Sequence, residues 1–229
     1  MSHHQNIVRL KAVQNLLAQT GVNFAFVGGA TVSLYAQRET EEVRSTNDVD
    51  VVVEIAAYNA EFLKLTEQLL RLGFNPDSES KVICRYLYDG LVVDIMPVGE
   101  GVFGFVNKWY ESGLNNAEDY KIDDQTIVSI FPASYFIASK LEAFNDRGKN
   151  DGRTSTDFED IIFVMENRPE LWRELNAADT EVRDYLKYEF NKLLNTPYIE
   201  EWIDCHAGYS SPPMTPIILE EMRRFISED

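Results

Sequence analysis

Apolar residues return every three or four positions between Asn6 and Gln19, at Ile7, Leu10, Val13, Leu16 and Leu17, the spacing of one helix face. Gly21 marks the end of that helix. The period then changes. Asn23–Val27 predicts a short buried strand, Gly28-Gly29 a tight turn, and Ala30–Gln37 a second helix. The charged stretch RETEEVRSTN predicts a loop, and Asp48–Glu54 the next strand. From Tyr58 to Arg71 the helical period resumes, carried by Phe62, Leu65, Leu69 and Leu72, with Gly73 placed to cap it. KVICRYLYDGLVVDIMPV holds two β-rich runs around Asp89-Gly90, the dipeptide of two-residue hairpin turns. QTIVSIF predicts a further short strand, ended by Pro132.

Beyond Ala133 the pattern is helical. ASYFIASKLEAFNDR, STDFEDIIFVMENR, TEVRDYLKYEFNKLLN and TPIILEEMRRFISE each carry an apolar stripe, and Ser211-Pro212-Pro213 sets the last one off. The pattern predicts an α+β chain in two domains, a mixed-sheet domain over 1–130 and a helical one over 131–229.

Composition narrows the picture. With 45% hydrophobic and 26% charged residues among 229, the chain has the make-up of a folded globular protein. The N-terminus lacks the basic-then-apolar layout of a secretion signal and no apolar run approaches a membrane span, so a cytoplasmic protein with no membrane partner is expected. Cys84 and Cys205 form no CxxC pair, which argues against a disulfide framework or a zinc ribbon. Cys84 itself reads as a small buried strand residue. The formal charge of −17 disfavours nucleic-acid binding over the general surface, and a polyanionic ligand needs a focused basic site or bound cations.

The candidate chemistry lies where polar residues interrupt apolar strands. Asp48 and Asp50, two apart on one strand, face the same side, with Val49 on the other. Asp94 interrupts LVVDIMPV, and a carboxylate amid apolar strand residues is costly unless it is paired or coordinated. If its strand lies beside that of Asp48 and Asp50, three carboxylates share one site and repel, and divalent cations relieve the repulsion. Oxygen-only ligands favour magnesium or manganese over zinc. The alternatives are a solvated DxD pair at a strand end, and for Asp94 a salt bridge to an arginine such as Arg85. Gly28-Gly29 lets the backbone turn tightly and a ligand come close, with the following helix N-terminus as a seat for phosphate. Neither GxGxxG nor GxxxxGK[ST] occurs, so the dinucleotide and P-loop readings fail.

This set resembles the polymerase-β-like nucleotidyltransferase superfamily: Gly-Gly between strand and helix, RSTNDVD before a strand, then an isolated aspartate on a later strand. Within it, the sequence looks most like the AbiEii/AbiGii toxin-type nucleotidyltransferases, over residues from about Phe24 to Asp160. The resemblance implies a nucleotidyltransferase-like mixed β-sheet flanked by helices and followed by a helical C-terminal region. It implies that Gly28 and Gly29 contact the triphosphate, that Asp48 and Asp50 bind Mg2+ or Mn2+, and that Asp94 is the third carboxylate, activating an acceptor hydroxyl. Arg44 and Thr46 match the lead-in R-x-T-x-D-x-D and brace the loop or touch phosphate. SKLEAFNDRGKNDGRTSTDFEDI resembles the segment in which a lysine and paired aspartates recur, so Lys140 is expected at the nucleotide phosphates, with Asp157 and Asp160 as the acidic pair. Two plainer roles stand beside these, a solvated lysine and a charged helix start. One departure is visible: many superfamily members carry Gly-Ser where this chain has Gly28-Gly29, which leaves phosphate contacts to backbone N–H groups.

The expected activity is transfer of a nucleoside monophosphate from an NTP to a hydroxyl acceptor, in a tRNA, a protein or a small molecule. A role as the toxin of a toxin–antitoxin or phage-defence pair, with a cognate antitoxin, goes with it. The alternative is a catalytically inactive nucleotidyltransferase-like binding module, an antitoxin or regulatory partner.

Overall fold

The computed structural model describes residues 2–37, 43, 44, 46–55, 58–82, 84–98, 107–149, 151–207 and 213–228. Residues 38–42 and 45 of the expected loop, Ile83, and Ser211 and Pro212 of the expected break lie outside them. Helix α1 (Ser2–Leu17) buries Leu10, Val13 and Leu17 and runs into a 3₁₀ turn that stops at Gly21, whose φ of 71° is left-handed. Strands β1 (Phe24–Val27) and β2 (Asp48–Glu54) follow, then α2 (Tyr58–Arg71), β3 (Asn75–Pro76), β4 (Arg85–Tyr88) and β5 (Leu91–Val98). Helix α3 (Tyr110–Asn115) leads to β6 (Glu118–Lys121) and β7 (Ile127–Ile130).

These strands form one mixed sheet in the order β3-β4-β5-β2-β1-β7-β6. At its middle, β2 is antiparallel to β1 and parallel to β5. The β4–β5 hairpin closes on Asp89-Gly90, with φ of 45° and 78°, the two positive values that a type I′ turn requires. Valines 49, 51 and 53 point to one side of β2 and are fully buried; Asp48, Asp50, Val52 and Glu54 share the other side. Val52 is covered as well, so the strand is apolar on both faces except at its mouth. That mouth is where the two aspartates stand.

The sequence pattern differs from the fold in a few places. The segment expected as an α-helix over Ala30–Gln37 is a seven-residue 3₁₀ helix, Gly29–Tyr35. Its first turn is closed by Thr31, whose N–H and Oγ1 both donate to the Gly28 carbonyl, at 3.3 and 2.9 Å, and Val32 adds a second β-branched side chain. Cys84 lies in the turn before β4, half-buried, rather than within a strand.

The chain divides into two compact units, Met1–Leu34 with Glu41–Pro132, and Tyr35–Thr40 with Ala133–Asp229. The second is helical: α4 (Ala133–Arg147), α5 (Thr156–Asn167), α6 (Leu171–Ala177), α7 (Thr180–Leu194), α8 (Ile199–Asp204) and α9 (Met214–Ser227). Helix α4 is its centre, packed on α5, α6 and α7, with the Tyr35 ring 4.4 Å from that of Phe136. Ser155 caps α5 by accepting from the Phe158 N–H. Among the described residues no helix is long and apolar enough to cross a membrane.

Candidate functional site

Register brings the carboxylates together. Val27 of β1, Asp50 of β2, Asp94 of β5 and Arg85 of β4 are successive cross-strand partners, one row across four strands. Neighbours in such a row present their side chains to one face. Asp48 stands on the same face, two residues before Asp50. The carboxylate oxygens of Asp48, Asp50 and Asp94 come within 4.8 Å of one another.

The glycine turn is fitted to this row. Gly28 has φ of 72°, and a Cβ there would collide with the Asp50 carboxylate. At Gly29 a Cβ would meet the Arg44 guanidinium and lie 2.7 Å from Thr46 Cγ2. Both glycines are therefore fitted to the chain's own side chains: Asp50 lies against one, and Arg44 and Thr46 against the other. Thr46 is buried, its Oγ1 donates to the Asp48 carbonyl at 2.9 Å, and Arg9 of α1 donates to the Thr46 carbonyl. The lead-in to β2 is thus tied down on both sides.

Arg85 is a further charged member of the site. Its Nε–H and Nη2–H donate to Asp94 Oδ1 and Oδ2, each at 2.8 Å, and Nη2 stands 3.5 Å from Asp48 Oδ2. The sequence offered Arg85 only as an alternative partner for Asp94, yet its place was countable. Pairs numbered outward from the Asp89-Gly90 turn put Arg85 opposite Asp94. The hydrogen bond to Asp94 foremost, then the charges of Asp94, Asp48 and Asp50, push the guanidinium pKa above its ordinary value. Burial and the nearby Asp94 charge raise the Cys84 thiol to about 11, which keeps it protonated at neutral pH.

The donor set suits a hard cation. It is all oxygen, on one face and from adjacent strands. Ligand oxygens of an octahedral magnesium ion stand about 2.9 Å apart when adjacent and about 4.2 Å apart when opposed, so the trio, within 4.8 Å, would draw closer around an ion. The fork from Arg85 engages both Asp94 oxygens, the atoms an ion would also use.

Lys140, Asp157 and Asp160 belong to the helical unit. All three are buried. Lys140 Nζ lies 2.6 Å from Asp160 Oδ2 and 3.1 Å from Asp157 Oδ1. Arg147 adds a two-point fork to Asp157, at 2.7 and 2.9 Å. Burial opposes ionisation of Asp157, but the Arg147 hydrogen bonds and the Lys140 charge outweigh it and hold the carboxyl below its usual range. The lysine is not a solvated surface residue: its ammonium is engaged by two carboxylates between α4 and α5.

The fold is nucleotidyltransferase-like, a mixed sheet flanked by helices with a helical C-terminal region. An antigenic nucleotidyltransferase-like protein from Paracoccidioides brasiliensis superposes with a TM-score of 0.53 at 19% identity, over 90% of this chain and 94% of that one. The antibiotic-resistance factor ANT(2'')-Ia does so with a TM-score of 0.52 at 12% identity, over 84% of this chain and 96% of that one. No protein-family model and no curated protein matches the sequence.

Proposed function

We propose that the chain is a metal-dependent nucleotidyltransferase that moves a nucleoside monophosphate from an NTP to a hydroxyl acceptor and releases pyrophosphate. The observation that carries this is the convergence of Asp48, Asp50 and Asp94 beside the Gly28-Gly29 turn, on a fold shared with nucleotidyltransferase-like proteins. In this reading Asp48 and Asp50 hold magnesium or manganese, with Asp94 as third ligand. The ion supplies charge neutralisation for the triphosphate and lowers the pKa of the acceptor hydroxyl. Backbone N–H groups at Gly28 and Gly29, with Arg44 over Gly29, meet the phosphates, and Thr46 holds the entry to β2 in place. The acceptor oxygen bonds to the α-phosphorus as the α–β bridging bond breaks. Its proton passes to Asp94, and the electron pair leaves with pyrophosphate. Lys140, Asp157 and Asp160 brace α4 against α5.

The lead-in Arg44-x-Thr46-x-Asp48-x-Asp50 is what supports a toxin-type member with a cognate antitoxin. The charge of −17 favours a protein or small-molecule acceptor over tRNA. One observation favours a second reading, a catalytically inactive binding module: Arg85 already neutralises part of the trio. A transfer panel separates the two. Labelled ATP, GTP, CTP and UTP with Mg2+ or Mn2+ are offered with tRNA, total protein and aminoglycosides. Label is expected on one acceptor class, with a loss of at least about a hundredfold in Asp48→Asn and in Asp50→Asn. Absence of transfer to every acceptor would favour the binding module.

A further inference from the structure

Arg85 and a divalent ion address the same oxygens. Asp94 is only 7% exposed and both its oxygens accept from Arg85, so the face an ion would use is the face the guanidinium covers. The same guanidinium reaches past Asp94 to Asp48, on the next strand, and so stands among the acids rather than behind them. Its charge is permanent, because arginine does not deprotonate in proteins. A second cation drawn into the trio meets that charge at contact range. Arg85 also has room to leave: its side chain is 26% exposed, whereas that of Asp94 is 10% exposed.

We propose that Arg85 is the built-in counter-cation of the Asp48–Asp50–Asp94 trio, displaced when a divalent ion enters, so that it lowers ion affinity and sets the concentration at which the site fills. Without such a counter-ion, clustered carboxylates would strain the mouth of β2 whenever the site lacks metal. A guanidinium that only oriented Asp94 would act oppositely, since hydrogen bonds to a ligating carboxylate strengthen its hold on a metal. The two roles predict opposite signs.

The proposal rests on the trio being a metal site, and the experiment separates the two claims. Mn2+ binding to the full chain is measured by electron paramagnetic resonance and calorimetry, without nucleotide, for wild type, Arg85→Gln and Arg85→Lys. Arg85→Gln is expected to bind Mn2+ about tenfold tighter or more, with Arg85→Lys, which keeps the charge but loses the fork, in between. Thermal melting supplies a second readout: metal-free Arg85→Gln should melt below wild type, and saturating Mn2+ should raise its Tm by more than it raises that of wild type. Equal or weaker Mn2+ affinity in Arg85→Gln overturns displacement and leaves the metal site standing. If that variant does not fold, equal or weaker affinity in Arg85→Lys overturns it in the same way. Absence of Mn2+ binding in all three proteins overturns the metal site and the proposal with it.

Discussion

Gly28 and Asp50 share one small volume, and neither tolerates much change in the other. A methyl group at Gly28 meets the Asp50 carboxylate directly, on a backbone whose φ of 72° already disfavours any side chain. Gly28→Ala is expected to cost about 1–2 kcal/mol for the left-handed backbone and about 1–3 kcal/mol for the crowding, read by urea unfolding. It should weaken Mn2+ binding too, because Asp50 must move. A variant as stable as wild type would show that the turn has slack which the geometry denies it. The aspartates were legible because strand alternation is strict: once β2 begins at Asp48, Asp50 must share its face. Asp157 and Asp160 were legible as companions of Lys140 only through the family resemblance. That the three meet in a buried ion cluster depends on how α4 packs on α5, and helix packing leaves no fixed period between two segments of sequence.

Length decided which elements could be read. Strand β2, helix α2 and helix α4 begin and end where the pattern puts them, each long enough to repeat its period or bounded by a clear signal. The two-residue β3 and the six-residue α3 and α8 give too few repeats to separate from loop, and β6, as long as β1, β4 and β7, is the polar run EDYK with no apolar stretch to mark it. The segment after Gly28 is helical as the pattern predicts, but its 3₁₀ form, begun by the Thr31 bonds to Gly28, has no signature in the sequence pattern. The α4–α5 ion cluster carries a prediction of its own. The Asp157 carboxyl is lowered in the folded chain, against about 3.9 when unfolded. Its contribution to stability is therefore complete above about pH 4 and is lost as pH falls through the lowered folded value. Asp157→Asn should cost about 1–3 kcal/mol at neutral pH and should lose stability less steeply below about pH 4, followed by thermal melting across pH. An acid limb as steep as that of wild type would place the titrating group elsewhere.

Across the whole molecule, 38 acidic residues against 21 basic ones set the problem that the site has to solve. An acidic protein attracts a triphosphate only where local cations reverse the field, and the trio beside the glycine turn is where divalent ions can do so. Nucleotide and metal affinity should then be inseparable, each raising the other as linkage demands. The direct test is thermal stabilisation of the full chain by ATP, GTP, CTP and UTP, with and without Mg2+, in wild type and in the Asp48→Asn/Asp50→Asn variant. At least one NTP is expected to raise the Tm of wild type only when Mg2+ is present, and to leave that of the variant unmoved. Stabilisation that is the same without Mg2+, or the same in the variant, would contradict it.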